Sequence, residues 1–186
     1  VGGNAFAPAV DMTASDTGTF DDSALELGAE SDPHLNAIVR TDGGTLLVMG
    51  ERGAGFRSAD GGASWSKVRL PYAGSMFGLL SLGGERVLAF GLRGNVYQSD
   101  NGGSSWRKIE SSTDISLIGG TVGADGTVVL AGSNGTLLAR RAGEEAFTAK
   151  HIQLGTGQTP ALSAAVATDV GYLLASDLGA VNTNVQ

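Results

Sequence analysis

One stretch of this chain returns almost unchanged 41 positions later. Gly50-Glu51-Arg52-Gly53-Ala54-Gly55-Phe56-Arg57-Ser58-Ala59-Asp60-Gly61-Gly62-Ala63-Ser64-Trp65 is answered by Gly91-Leu92-Arg93-Gly94-Asn95-Val96-Tyr97-Gln98-Ser99-Asp100-Asn101-Gly102-Gly103-Ser104-Ser105-Trp106. A further step of 41 reaches Gly132-Ser133-Asn134-Gly135-Thr136-Leu137-Leu138, with Phe147 where the tryptophans stood. A fourth copy starts at Ala161 and runs through Ala175-Ser176-Asp177-Leu178-Gly179-Ala180-Val181. Fixed-period self-similarity means that one supersecondary unit is stacked repeatedly, each unit burying what its neighbour exposes.

Each unit has room for four short strands. In the second, Met76–Leu82 and Val87–Phe90 are apolar runs suited to burial on both faces, and Val96–Ser99 and Ser105–Ile109 alternate as outer strands do. The turns between them carry Gly83-Gly84, Arg93-Gly94 and Asn101-Gly102-Gly103. The chain holds 30 glycines, as many tight turns require. Four strands in about 40 residues is the period of a propeller blade. No amphipathic run is long enough for a helical solenoid. The expectation is an all-β chain, a β-propeller of four-stranded antiparallel blades, with about four blades here. The units span 34–75, 76–114, 115–160 and an incomplete 161–186.

Propellers close with about 4–8 blades, and an open arc exposes unpaired edges. Three arrangements answer this. The first 33 residues supply the missing strand of a small ring, two chains assemble, or a separate polypeptide provides the other half. A larger ring is preferred, with this chain as its C-terminal part. The start at Val1 fits a processed chain or a fragment equally well.

Charge is unevenly spread. Net charge is −7, and residues 1–39 hold Asp11, Asp16, Asp21, Asp22, Glu26, Glu30 and Asp32 with no lysine or arginine. The rest is neutral. The segment 1–33 is therefore expected to be an acidic, solvated loop or partial strand, and nucleic acid is not an expected partner. No apolar run approaches the ~20 residues a membrane helix needs. The chain has no cysteine, which removes disulfides, thiolate metal sites and a cysteine nucleophile, and leaves the compartment open.

Ser58-x-Asp60-x-Gly62-x-Ser64-Trp65 and Ser99-x-Asn101-x-Gly103-x-Ser105-Trp106 fit the Asp-box (BNR) pattern. The Asp or Asn side chain accepts backbone amides within its turn, glycine takes the unusual backbone angles, and the tryptophan buries a large face. The third unit, Arg141 to Phe147, keeps only the aromatic. Loss from one copy suits a structural part better than a catalytic one.

With the Gly-x-Arg-Gly turns and His34-Leu35-Asn36-Ala37-Ile38, these boxes make residues 34–182 resemble the photosystem II stability/assembly factor-like family, and its bacterial members in particular. That resemblance implies a seven-bladed propeller exported to the periplasm or thylakoid lumen. It also implies a protein-binding scaffold, not membrane-embedded, that assists assembly of a membrane-protein complex without a cofactor. Asp boxes also occur in sialidases, which makes a carbohydrate-active or glycan-binding propeller the alternative. A sialidase needs clamping arginines and a Tyr/Glu couple, and Tyr72, Tyr97 and Tyr172 have no glutamate at a matching spacing.

Blade geometry then separates two faces. With strands A to D running outward, the B–C turns share a face with the D–A connections, and the boxes lie opposite. Arg52 and Arg93 occupy equivalent B–C turns, with Glu51, Asn134 and the Leu70–Met76 connection bearing Tyr72 nearby. Arginines beside a Pro-Tyr loop have the composition of a protein interface, and their forks match carboxylates. The plainer alternative has both arginines bonding local carbonyls or acids. His34 and His151 form no metal or Ser-His-Asp pattern, and His34 is read as a capping or interface residue. No EF-hand loop or phosphate-cradling loop is present.

Overall fold

A computed structural model describes residues 33–185 of the chain. Among the described residues fifteen strands follow one another in four antiparallel sheets. The first holds β1 (Leu35–Arg40), β2 (Leu46–Gly50), β3 (Gly55–Ser58) and β4 (Ser66–Lys67). The second holds β5 (Met76–Ser81), β6 (Val87–Gly91), β7 (Val96–Ser99) and β8 (Arg107–Ile109). The third holds β9 (Leu117–Val122), β10 (Val128–Gly132), β11 (Thr136–Arg140) and β12 (Thr148–His151). The fourth has three strands, β13 (Leu162–Thr168), β14 (Gly171–Ser176) and β15 (Gly179–Thr183). Within each sheet every strand pairs with the next in sequence, and the first strands β1, β5, β9 and β13 pack successively on one another. Meandering sheets packed face to face around their first strands are the blades of a β-propeller.

Strand periodicity explains how one blade serves two neighbours. Val87 and Ala89 of β6 join Leu47 and Met49 of the first blade in one cluster. Leu88 and Phe90, the residues between them, join Leu117, Val128 and Leu130 of the third blade in another. The third strand repeats the division, with Tyr97 on the first cluster and Val96 on the second. All four residues of β7 are consequently buried, which corrects the expected alternation of Val96–Ser99. Apolar Val96 and Tyr97 and polar Gln98 and Ser99 are alike enclosed, because both faces are covered by neighbouring blades.

Glycine at two positions is a packing requirement. A Cβ on Gly78 would overlap the ring of Phe90, and one on Gly103 would strike Leu47 of the preceding blade. Faces without a described neighbour look different. Ile38 on β1 is 66% exposed and Val166 on β13 is 52% exposed, so neither outward face is covered by the described residues. The acidic segment expected over residues 1–33 lies, up to residue 32, outside the described residues, as does any strand it contributes.

Candidate functional site

The second and third strands of the first three blades are joined by the same two-residue turn. Arg52 (φ 55°, ψ 30°) and Arg93 (φ 54°, ψ 41°) are left-handed, as are Gly53 (φ 73°) and Gly94 (φ 66°) after them. Ala54 N–H donates to Glu51 O at 2.9 Å and Asn95 N–H to Leu92 O at 3.2 Å, closing the turns. Asn134 (φ 54°) and Gly135 (φ 65°) repeat the geometry, closed by Thr136 N–H to Ser133 O at 3.1 Å. These are type I′ turns, whose angles match strand twist and which favour Asn-Gly. Asn134-Gly135 is therefore the sequence the turn itself selects, and the two arginines are held against that preference. In the fourth blade Asp177-Leu178 fills the equivalent connection without a left-handed residue, and Asp177 accepts from Ala161 N–H at 2.8 Å.

The loops between blades bind these turns into one surface. Gly53 N–H donates to Gly74 O at 3.1 Å, and Leu92 N–H donates to Ser75 O at 2.9 Å, so the connection holding Tyr72 braces the turns of both Arg52 and Arg93. On the next connection, Ser111 Oγ donates to Gly94 O at 2.6 Å. Asn134 accepts from Thr159 Oγ1 at 3.1 Å through its Oδ1. Arg52, Arg93 and Asn134 are exposed on this face.

The other residues singled out from the sequence are more occupied. Tyr72 is half-buried, its ring stacked on Tyr97 with centroids 6.1 Å apart, and its hydroxyl reaches Leu92 O at 3.4 Å. That ring cements the first two blades. Glu51 is paired with His34, Oε2 lying 3.2 Å from Nδ1, and Glu51 N–H donates to His34 O at 2.9 Å. The hydrogen bond from His34, followed by the nearby charges of His34 and Arg52, holds the Glu51 carboxyl below its ordinary pKa. A cleft of about 570 Å³ lies beside Arg52, lined also by Lys67, Arg69, Leu70, Pro71 and Tyr72. The sequence reading passed over Lys67 and Arg69. Their signal was the basic residues that close the first unit just before Pro71.

On the opposite face the Ser-x-Asp and Ser-x-Asn turns are self-contained. Ser58 Oγ accepts Gly62 N–H at 2.8 Å and donates to Asp60 Oδ1 at 2.7 Å. Asp60 also accepts Ser64 N–H at 2.9 Å, and Trp65 Nε1–H donates to Gly62 O at 3.1 Å. Ser99, Asn101, Gly103, Ser105 and Trp106 repeat this network at 2.8–3.0 Å, with the Asn101 amide also donating to Ser105 Oγ. These hydrogen bonds all close within the turn.

Among the described residues no group of three histidines or acids is arranged to hold a metal ion, and no helix is long and apolar enough to cross a membrane. Sheet order, blade packing and turn chemistry define the class: this chain folds as β-propeller blades. Comparison with known proteins adds relatives in shape. YCF48 bound to a D1 peptide superposes with a TM-score of 0.62 at 17% identity, over 81% of this chain and 48% of that one. YCF48 from Cyanidioschyzon merolae gives 0.59 at 16% identity, over 86% and 70%. An ancestral GH74 enzyme gives 0.65 at 12% identity, over 83% of this chain and 23% of its own. The chain thus spans about half the length of the peptide-bound YCF48 chain. No family model matches the sequence, and no curated protein matches it.

Proposed function

We propose that this chain is part of a non-enzymatic, exported propeller of the photosystem II stability/assembly factor-like kind. In this reading Asp-box turns are structural, and the face bearing Arg52 and Arg93 binds a carboxylate-bearing segment of a client protein. The client is a membrane protein or its assembly machinery. The observation that carries this is the pair of arginines at left-handed positions of neighbouring type I′ turns, where the third blade has Asn134. Residues kept in disfavoured backbone regions concentrate where binding needs them. The two turns are braced by one connection, so their spacing is fixed before a partner arrives, which lowers the ordering cost of binding. Guanidinium forks suit carboxylates, including a peptide C-terminus. That a YCF48 structure holds a D1 peptide supports a peptide partner for a propeller of this shape.

The test is capture of membrane-protein clients by the chain and by Arg52→Asn and Arg93→Asn. Asparagine is the turn's preferred residue, so folding is spared while the guanidinium is removed. Binding weaker by about 2 kcal/mol or more for each is expected of interface arginines. Undiminished capture by the double variant refutes the reading. Turnover of a sialidase substrate would replace it with the glycan-processing alternative.

A further inference from the structure

Among the described residues, the one buried charged side chain lies on the other face. Arg140 ends β11 and is only 6% exposed. By the 41-residue frame it stands where the first two blades carry Ser58 and Ser99, the hydroxyls that organise their turns. Ala142 replaces Asp60 and Asn101, and Glu144 replaces Gly62 and Gly103, so the third turn cannot form that network. Phe147 remains in the tryptophan position, and the Arg140 guanidinium sits 5.1 Å from its ring centroid. A cation over an aromatic face recovers part of the lost hydration. Among the described residues it has no hydrogen bond and no carboxylate partner. Burial first, then the charges of Arg107 and Arg86, disfavour its charged form, with Asp100 opposing. Arginine nonetheless stays protonated in proteins, so an underpaired cation is buried here.

The lost turn also leaves space. At the junction of the first two blades, Gly102 is clamped in place: its carbonyl accepts Arg57 Nε–H at 2.7 Å and its N–H donates to Glu85 O at 2.9 Å. At the next junction the counterparts of Arg57, Glu85 and Gly102 are Gln98, Gly126 and Gly143, and they line a cleft of about 290 Å³ instead. Arg140, Arg107 and Arg86 converge on it, and Leu82, Val122 and Val128 form its apolar wall. Arg86 is tied to Leu82 O at 2.7 Å and Arg107 lies 3.7 Å from Asp100, while Glu144 accepts Arg141 N–H at 3.2 Å. Glu145 also lines the cleft.

We propose that this cleft between the second and third blades binds a small organic carboxylate, its oxygens held by Arg140 with Arg107 and its aliphatic body against Leu82, Val122 and Val128. The Arg140 guanidinium, its carbon 5.1 Å from the Phe147 ring centroid, carries the fork of N–H donors that forms paired N–H···O bonds to a carboxylate. The apolar wall favours an organic anion over an inorganic one. The volume, just below the ~300–1,000 Å³ of ligand clefts, restricts it to a few heavy atoms. This site is independent of the Arg52 and Arg93 face.

Butyrate titrated into the chain at low ionic strength, followed by the arginine Nε–Hε resonances and by calorimetry, tests it, with butyramide and inorganic phosphate as comparison probes. Saturable shifts of Arg140 and Arg107 with butyrate, absent with butyramide, are expected. Arg140→Ser restores the residue of the other two blades, and Arg140→Lys keeps charge without the fork; each should weaken butyrate by about tenfold or more. No saturable shift, equal binding of butyramide, tighter binding of phosphate, or unchanged affinity in a folded Arg140→Ser would each overturn the proposal. Should that variant not fold, the butyrate and butyramide titrations of the unaltered chain decide it.

Discussion

Arg93 and Asn134 occupy the same position of successive hairpin turns, each with a φ of 54°, although only asparagine is suited to it. A side chain that merely decorates a turn would drift toward the residue the turn prefers. Arg93→Asn and Arg52→Asn should therefore raise stability, by up to about 1 kcal/mol each, as left-handed strain is relieved. Urea unfolding midpoints measure this. A fall in stability would mean that the guanidiniums hold the blades together.

Ser99 is fully buried, accepting Gly103 N–H at 2.8 Å and donating to Asn101 at 3.0 Å. Ser99→Ala leaves the glycine amide without a partner beside Leu47. Destabilisation of about 1–3 kcal/mol is expected, the range for orphaning a buried polar group. Chemical denaturation at neutral pH reads it directly.

Asp60 is held well below the ordinary carboxylate range, chiefly by hydrogen bonds from the Ser64 and Ser58 side chains and the Ser64 amide. With the folded value depressed, its contribution is complete above the unfolded value of about 3.9 and disappears as pH falls through the folded one. Asp60→Asn copies Asn101 and removes that titration. Its unfolding midpoint should change less than that of the unaltered chain between about pH 5 and pH 2.5, below which both forms lose other carboxylates. Parallel curves would contradict the assignment.

Gly78 and Phe90 form a paired fit across β5 and β6. Gly78→Ala forces the ring aside and should cost about 1–3 kcal/mol, as overpacking does. Adding Phe90→Leu makes room for the new methyl. The double variant should be more stable than the sum of the single effects by about 0.5–3 kcal/mol, measurable in a thermodynamic cycle.

Much of this fold was open to reading along the chain. A 41-residue period, four strand-length segments per unit and glycine turns specify blades, because each is a local matter of backbone angles and side-chain alternation. The box turns were equally legible, since Ser58, Asp60, Gly62 and Ser64 find their partners within six residues. The 41-residue frame also places Arg52, Arg93 and Asn134 at equivalent turns.

Partners brought from neighbouring blades were not legible. Tyr72 looked available in the sequence, yet its ring is stacked on Tyr97, 25 positions away. Val96–Ser99 is expected to alternate as an outer strand does, yet blades on both sides bury it. Arg140 drew no attention in the sequence, and only packing made it a buried cation facing a cleft. The sequence by itself determined the blade, because the interactions that make one are short in range. The tertiary structure decided what each exposed or buried side chain faces, because in a propeller that depends on the blade next door.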